Sequence, residues 1–354
     1  MIDHIANFTS DLWTQARRAR RSASGWISGN AVCCAHRGET ADTRSRGGLI
    51  ANPNGAVTYR CFNCNFKASY APGRPLTYKF RKLLAWMGAD PNAIERLGIE
   101  ALRIKDLVPT TELAPVESEP ITFNQQELPA GAVNFHGMAE FYQLSNQAIP
   151  ADFIEVVDYV ANRKIDLQKY QFYWADDKIY GLNKRVIIPF LWKGQTVGYT
   201  ARSVDAETKP KYHSSHDSNY VFNVDQQQKN WKFVVVCEGP FDAMSIDGVA
   251  VLHNDINEQQ ADVIDSLGCE VVVVPDFDIK YDERTKKKKW AGAALIDRAI
   301  EYGWSVSFPV WAETCKDVNE AVQKYGKLFV LKAIIQGKQT SKLKIELLKR
   351  RLYN

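Results

Sequence analysis

The sequence predicts a multidomain α/β protein, and three observations predict it. Residues 232–312 alternate Val-rich apolar runs with helical patterns, the signature of a parallel sheet covered on both faces. Residues 29–73 lose the helical period and turn rich in glycine and asparagine around two closely spaced Cys/His pairs. A Pro- and Glu-rich stretch at 108–131 divides these two regions. At 354 residues the chain has room for two or three domains. A composition of 45% apolar and 24% charged residues supports packed cores and excludes wholesale disorder. The net charge is only +4, so a polyanionic partner must be met by local basic patches. Apolar runs such as Phe233–Cys237 fall far short of the roughly 18 residues a membrane span needs. No signal-peptide pattern opens the chain, and seven cysteines with four in one cluster do not suit a secreted disulfide scaffold. The expectation is a soluble, cytoplasmic protein with no membrane partner.

Taken in order, Thr9–Arg21 reads as a helix capped by Ser10, with Arg17, Arg18, Arg20 and Arg21 at the end where cations suit its dipole. Ala56–Arg60 reads as a short β piece. Leu76–Met87 and Asn92–Leu97 read as helices split by Gly88 and Pro91, which closes a first unit at 1–107. Pro109, Pro115, Pro120 and Pro129 with Glu112, Glu117, Glu119 and Glu127 make 108–131 an extended acidic linker. A second unit, 132–230, holds a helix at Ile154–Asn162 and two strands, Arg185–Trp192 and Thr196–Ala201, joined by a turn at Lys193–Gly194. In the third unit, 231–315, strands fall at Lys232–Cys237, Val249–His253, Glu270–Val274 and Ser305–Val310. Its helices begin at Phe241–Ile246, Glu258–Leu267 and Ala291–Tyr302. The remainder, 316–354, is a helical tail that ends strongly basic.

Cys33-x-x-His36 and Cys61-x-x-Cys64 have the knuckle spacing that gives zinc two ligands from each side, in a segment too poor in apolar residues to fold without a staple. Cys34 competes with Cys33, but Cys34-x-His36 leaves too short a loop for the usual knuckle. Four filled positions make the zinc structural; unligated buried cysteines are the alternative. Around the second knuckle, Tyr59, Arg60, Phe62, Phe66, Lys67 and Tyr70 interleave rings with cations, as single-stranded nucleic acid requires. Phe62 and Phe66 equally suit the ribbon's own core, which leaves Tyr59 and Lys67 as the contact candidates.

The strand Lys232–Cys237 ends at Glu238, with Asp242 in the next helical turn, and Glu270–Val274 ends at Pro275, Asp276, Phe277 and Asp278. Both carboxylate sets lie at carboxyl ends of expected parallel strands, where open α/β sheets bind ligands. Lys316–Asn319 (KDVN) adds Asp317 to that edge. Acids converging without basic partners repel, and hard divalent cations such as Mg²⁺ resolve the conflict. Asp242 and Asp317, each taken alone, also suit helix caps.

This ordered set resembles a Toprim domain, shared by primases, topoisomerases of types IA and II, some nucleases and recombination mediators. Arg185–Pro189 (RVIIP), Gly198–Arg202 (GYTAR) and Pro210–Tyr212 (PKY) resemble the basic half of the bacterial-type primase polymerase domain, and the C-x-x-H…C-x-x-C ribbon resembles the primase zinc module. EGPFDAM, KDVN and the absence of a fused helicase look most like the separate DNA primases of T-even-type phages. The resemblance covers about 29–325 and implies an N-terminal zinc ribbon, a basic α+β subdomain, a Toprim parallel α/β sheet and a helical C-terminal tail. It implies Mg²⁺-dependent synthesis of short RNA primers on single-stranded DNA from ribonucleoside triphosphates, beside a separate replicative helicase and a single-stranded DNA-binding protein.

In that scheme Asp276, Asp278 and Asp317 hold two or more Mg²⁺ ions, with Mn²⁺ as a substitute. Glu238 acts at the attacking oxygen as acid/base or metal-linked carboxylate, and Asp242 is a secondary acid. Arg185, Arg202 and Lys211 cradle triphosphate or template phosphates with Tyr212 packed nearby, or the three basic residues form ordinary salt-bridged surface. A zinc-bearing Toprim mediator of recombination or repair, or a nuclease, is the alternative; a topoisomerase would need a strand-passing tyrosine domain for which this sequence leaves no room. The resemblance gives no role to the Lys-rich excursion Ile279–Trp290 or to Lys286–Lys289, which suit either phosphate tracking or plain exposed loop. The tail, with Lys338, Lys342, Lys344, Lys349, Arg350 and Arg351 beside Leu343, Leu347 and Leu348, suits DNA, a helicase or solvent equally.

Overall fold

A computed structural model describes residues 4–16, 19–107, 121–228, 231–284 and 287–353. Helix α1 (His4–Ala16) lies on a five-stranded antiparallel sheet of β1 (Arg20–Arg21), β2 (Ile27–Gly29), β3 (Gly47–Ala51), β4 (Val57–Cys61) and β5 (Lys67–Tyr70). The helix starts before the expected Thr9 because Ile5 and Trp13 are buried on one stripe, and Trp13 Nε1 donates to the Ile27 carbonyl at 2.9 Å. Ser10 therefore sits inside the helix. Arg20 and Arg21 pair in strand register with Ser28 and Ile27, while Arg17 and Arg18 lie outside the described residues.

Helix α2 (Tyr78–Trp86) begins at Thr77, whose hydroxyl accepts the Phe80 N–H at 3.2 Å. Helix α3 (Pro91–Leu107) runs well beyond the expected Leu97. The second unit starts with β6 (Val133–Asn134), α4 (Phe135–Ser145) and α5 (Ala151–Asn162). It continues with β7 (Tyr173–Trp174), β8 (Arg185–Trp192), β9 (Gln195–Ser203) and β10 (Tyr212–His216), and its sheet runs β10-β9-β8-β7-β6, antiparallel throughout. Lys193 and Gly194 both take positive φ (51° and 78°), the turn that suits a twisted hairpin. Of the expected linker, 108–120 lies outside the described residues. Residues 121–131 run without helix or strand but are anchored: Phe123 packs edge-on against Trp192 and Tyr220, and the Gln126 N–H donates to the Thr196 carbonyl.

The third unit follows as β11 (Phe233–Cys237), α6 (Pro240–Ile246), β12 (Val249–Ala250), α7 (Glu258–Asp265), β13 (Glu270–Val273), β14 (Ile279–Asp282), β15 (Lys287–Trp290), α8 (Gly292–Tyr302) and β16 (Ser305–Ser307). It closes with α9 (Val318–Tyr325), α10 (Lys327–Gly337), β17 (Lys338–Gln339) and α11 (Lys342–Tyr353). The sheet order is β12-β11-β13-β16-β17, parallel except for the β17 edge. Alternation divides the core between two faces. Val234, Val236, Val271 and Val273 meet Ile264, Leu295 and Ile296 of α7 and α8. Val235, Cys237, Val272 and Val274 meet Val318, Val322, Val330 and Ile334 of α9 and α10. The chain leaves β11 toward β12 and leaves β13 toward β16, so connections part in opposite directions between those two strands. That is the switch point where open α/β sheets bind ligands.

The first unit is docked on the third through α2. The Tyr78 N–H donates to the Asp265 carboxylate at 2.9 Å, its hydroxyl donates to the Glu258 carbonyl at 2.8 Å, and Lys79 pairs with Asp262 at 2.5 Å. Among the described residues no helix is long and apolar enough to cross a membrane.

Candidate functional site

Two sites emerge, one of sulfur and one of oxygen. The sulfur site gathers Cys33, Cys34, Cys61 and Cys64, whose Sγ atoms all lie within 4.8 Å of one another. Cys33 Sγ is 3.4 Å from Cys64 Sγ and Cys34 Sγ is 3.5 Å from Cys61 Sγ, close to the roughly 3.8 Å edge of a tetrahedral zinc–thiolate site. The Asn63 N–H donates to Cys61 Sγ and its side-chain amide to Cys34 Sγ, both at 3.4 Å, the outer contacts that orient thiolate ligands. Burial pushes the Cys33 thiol far up, and a cation between the sulfurs reverses that. The donor set fits one structural zinc.

Here the structure corrects the expected ligands: Cys34 takes the place given to His36. The chain turns into a short 3₁₀ helix directly after Cys34, so adjacent cysteines both face inward. The exposed His36 ring instead stacks on Trp86 of α2, with centroids 5.1 Å apart and 7° between planes. The turn is held by Asp42. Its burial opposes ionisation, but N–H groups of Ala31, Arg44 and Arg46 and the Arg46 guanidinium outweigh burial and bring its carboxyl down to about 2.

Tyr59 is also corrected as a strand-contact residue. Alternation along β4 turns Val57, Tyr59 and Cys61 inward, and the Tyr59 hydroxyl lies 3.6 Å from Cys33 Sγ. Phe66 is buried as core, whereas Phe62 is 64% exposed with the Arg60 guanidinium 5.1 Å from its ring. Lys67 is half-buried opposite Arg60.

The oxygen site is a cleft of about 500 Å³ at the switch point. Glu238, Asp242, Asp276, Asp278 and Asp317 all line it. Glu238 Oε1 accepts the Asp276 N–H at 3.1 Å, which ties the carboxyl ends of β11 and β13 together. The Phe277 N–H donates to the Lys316 carbonyl at 2.6 Å, drawing the loop that carries Asp317 against the same edge. Asp242 Oδ1 accepts the Asn319 N–H at 2.9 Å from the buried side. Asp317 also caps α9 by accepting the Glu320 N–H at 2.7 Å, so it is both a cap and a member of the cluster.

Burial and repulsion from neighbouring carboxylates raise Asp276, Asp242 and Glu238. Asp276 is pushed up to about 9 by burial and then by Asp242, Glu238, Asp317 and Asp278; Asp242 rises to about 7 by burial and Asp317. Burial, then Asp278, raises Glu238 against the Asp276 N–H. Asp278 is more exposed and pairs with Lys280 at 2.7 Å. An all-oxygen set with this much unresolved repulsion fits hard divalent cations.

The facing wall comes from the antiparallel sheet. Arg202 and Tyr212 are cross-strand partners, with the guanidinium 4.6 Å from the ring, and Thr200, Ser214 and His216 follow on the same face by the two-residue period. A Cβ at Gly198 would lie 2.5 Å from the Ser215 carbonyl oxygen, so only glycine lets the two strands close there. Lys211 lines the cleft, its ammonium held below the ordinary lysine value by burial and by Arg202, Lys316 and Arg163.

Arg185 does not line the cleft and is corrected as a phosphate residue. It is 2% exposed, and its guanidinium donates to the carbonyls of Pro210 (2.7 Å), Ala201 (3.1 Å) and Lys211 (3.2 Å). It fixes the loop that presents Lys211 and Tyr212. Arg163 and Lys316 line the cleft and were missed. Arg163 donates to Asn319 Oδ1 at 2.7 Å and to the Tyr159 hydroxyl at 2.8 Å, with its guanidinium 4.6 Å from the Phe241 ring. A lone arginine at a helix end has no signal in sequence, whereas Lys316 stood beside Asp317 in view.

No protein-family model matches the chain, and no curated protein matches it. In structure it is similar to bacterial primase cores. The RNA polymerase domain of Mycobacterium tuberculosis primase DnaG is 16% identical, over 58% of this chain and 82% of that one, with a TM-score of 0.42. The zinc-binding and RNA polymerase domains of Aquifex aeolicus primase are 15% identical, over 94% and 83%, with a TM-score of 0.42. A DnaG primase catalytic domain bound to single-stranded DNA is 16% identical, over 61% and 81%, also at 0.42. Likeness at this distance assigns no activity, and the functional reading below rests on the cleft.

Two outcomes follow from the geometry. Metal analysis should find one zinc per chain in the wild type and in His36→Ala, and well under one in Cys34→Ser; full zinc in Cys34→Ser would restore His36 as a ligand. If the raised carboxyls of Asp276 and Asp242 take up Mg²⁺, they should lose protons as they do, and calorimetry at pH 7 in buffers of differing ionisation enthalpy should show proton release. Affinity should accordingly rise with pH from 7 to 9, and pH-independent binding would contradict the cluster.

Proposed function

We propose that the chain is a DNA primase, a nucleotidyltransferase that joins ribonucleotides into short primers on a single-stranded DNA template. The observation that carries this reading is the two-walled cleft, with Glu238, Asp276, Asp278 and Asp317 on one side and Arg163, Arg202 and Lys211 on the other. Joining two nucleotides needs a 3′-hydroxyl held in line with an α-phosphate and stabilisation of charge on the phosphate oxygens. Asp276, Asp278 and Asp317 would hold Mg²⁺ (or Mn²⁺), which when bound neutralises charge developing on those oxygens. Glu238, fixed by the Asp276 N–H, would accept a proton or complete the set. Arg202, braced on Tyr212, and Lys211, presented by Arg185, receive the triphosphate and the departing pyrophosphate. Arg163 is held by Asn319 and Tyr159 to face the same phosphates.

The zinc ribbon would select the start site, through Arg60, Phe62 and Lys67 rather than Tyr59. A separate replicative helicase, a single-stranded DNA-binding protein and a phage setting in the host cytoplasm complete the reading. A purely structural mediator would have no use for acids kept ionisable opposite phosphate-sized cations, and a nuclease would shorten DNA rather than make RNA.

With single-stranded template, ribonucleotides and Mg²⁺, the wild type should make oligoribonucleotides, and Asp276→Asn should lower the yield by about 10³-fold while keeping template binding. Normal yield from Asp276→Asn, or digestion of the template in place of synthesis, would overturn the reading.

A further inference from the structure

We infer that the hairpin β14–β15 is a ribbon that binds a single nucleic-acid strand, with a base stacked on Tyr281 beside a phosphate on Lys288, and with Lys289 reaching the next phosphate around the ribbon's edge. The inference deepens the primase reading and rests on it only for where the strand goes next. Its root is welded to the candidate metal site. Trp290 is 4% exposed, its Nε1 donates to the Asp276 carbonyl at 2.6 Å, and its ring stacks on Phe277 at 5.8 Å and 28°. Gly292 admits this closeness, since a Cβ there would lie 2.7 Å from the same carbonyl oxygen.

The register then sets Lys280 opposite Lys289 and Tyr281 opposite Lys288. Asp282 is set opposite Lys287, but Lys280 and Lys289 are like charges directly across the ribbon, an arrangement that destabilises it unless an anion lies between or beside them. Lys280 finds Asp278, but Lys288 and Lys289 are exposed and make no ion pair among the described residues. Tyr281 is 62% exposed and shares a face of the ribbon with its cross-strand partner Lys288, while Lys289 lies on the other face with Lys280. Cations interleaved with an open ring are what a single strand needs, phosphates for the ammonium groups and a base for the ring. An acidic peptide would satisfy the lysines but leave the ring without a matching partner. A strand lying on this ribbon would enter the cleft at the D-x-D loop.

The test uses the full chain, without Mg²⁺ or nucleotides, and reads fluorescence anisotropy of a labelled oligo-dT and of an abasic strand of equal length. Lys288→Gln with Lys289→Gln should reduce the slope of log affinity against log salt by about 1.4, at ~0.7 per phosphate contact on a single strand. Tyr281→Ala should weaken oligo-dT binding by roughly 5- to 150-fold and leave the abasic strand unchanged, and Tyr281→Phe should restore it. An unchanged slope, or a Tyr281→Ala loss equal on both strands, overturns the ribbon. Because no synthesis is measured, these failures are separate from a failure of Asp276→Asn, which would sink the primase reading and leave strand binding assigned.

Discussion

Repulsion among carboxylates at the carboxyl ends of β11 and β13 is the constraint around which the molecule is built. Left alone, such acids would splay apart or swing into solvent, and exposed Asp278 does lean onto Lys280. Three others are pinned by backbone: Glu238 by the Asp276 N–H, Asp242 by the Asn319 N–H and Asp317 by the Glu320 N–H. Each bond places a carboxylate without cancelling its charge. Burial first, and then the charge of its neighbours, raises the Asp276 carboxyl, and a divalent cation would remove the conflict that side-chain pairing leaves in place.

Asn319 joins the two walls. Its N–H holds Asp242, its side-chain amide donates to Ser245 and to the Arg163 carbonyl, and its oxygen receives the Arg163 guanidinium. One buried side chain thus links α9 of the parallel sheet to the end of α5 beside the antiparallel sheet. Cation and anion are thereby held at a fixed span rather than allowed to collapse together. Arg185 does the equivalent at the other end of the cationic wall, directing its guanidinium to carbonyls so that Lys211 and Tyr212 face the cleft.

The parallel sheet was legible because a strand buried on both faces must be apolar throughout, and runs such as Phe233–Cys237 have few other readings. Glu238, Asp276 and Asp278 followed from standing at the ends of such runs. The zinc ligands were legible as a cluster but not as a set. Spacing favoured His36, while the turn that follows Cys34 brings in the adjacent sulfur and leaves the imidazole to Trp86. Tyr59 was misjudged because the alternation of a five-residue strand decides its direction, and composition carries no phase. Arg185 and Arg163 exchanged roles for a similar reason: which arginine is spent on carbonyls and which reaches the cleft depends on chain segments far apart in sequence. The strands β14 and β15 show only a short alternation, at Ile279 and Tyr281, and their root is set by Trp290, which donates to the Asp276 carbonyl and stacks on Phe277.

Crystals soaked in Mn²⁺ and measured for anomalous scattering test the central idea most directly. The account predicts at least one strong peak bound between Asp276 and its neighbours Glu238, Asp278 and Asp317, absent in crystals of Asp276→Asn. A cleft without any peak at millimolar Mn²⁺, or an equal peak in the variant, would contradict it.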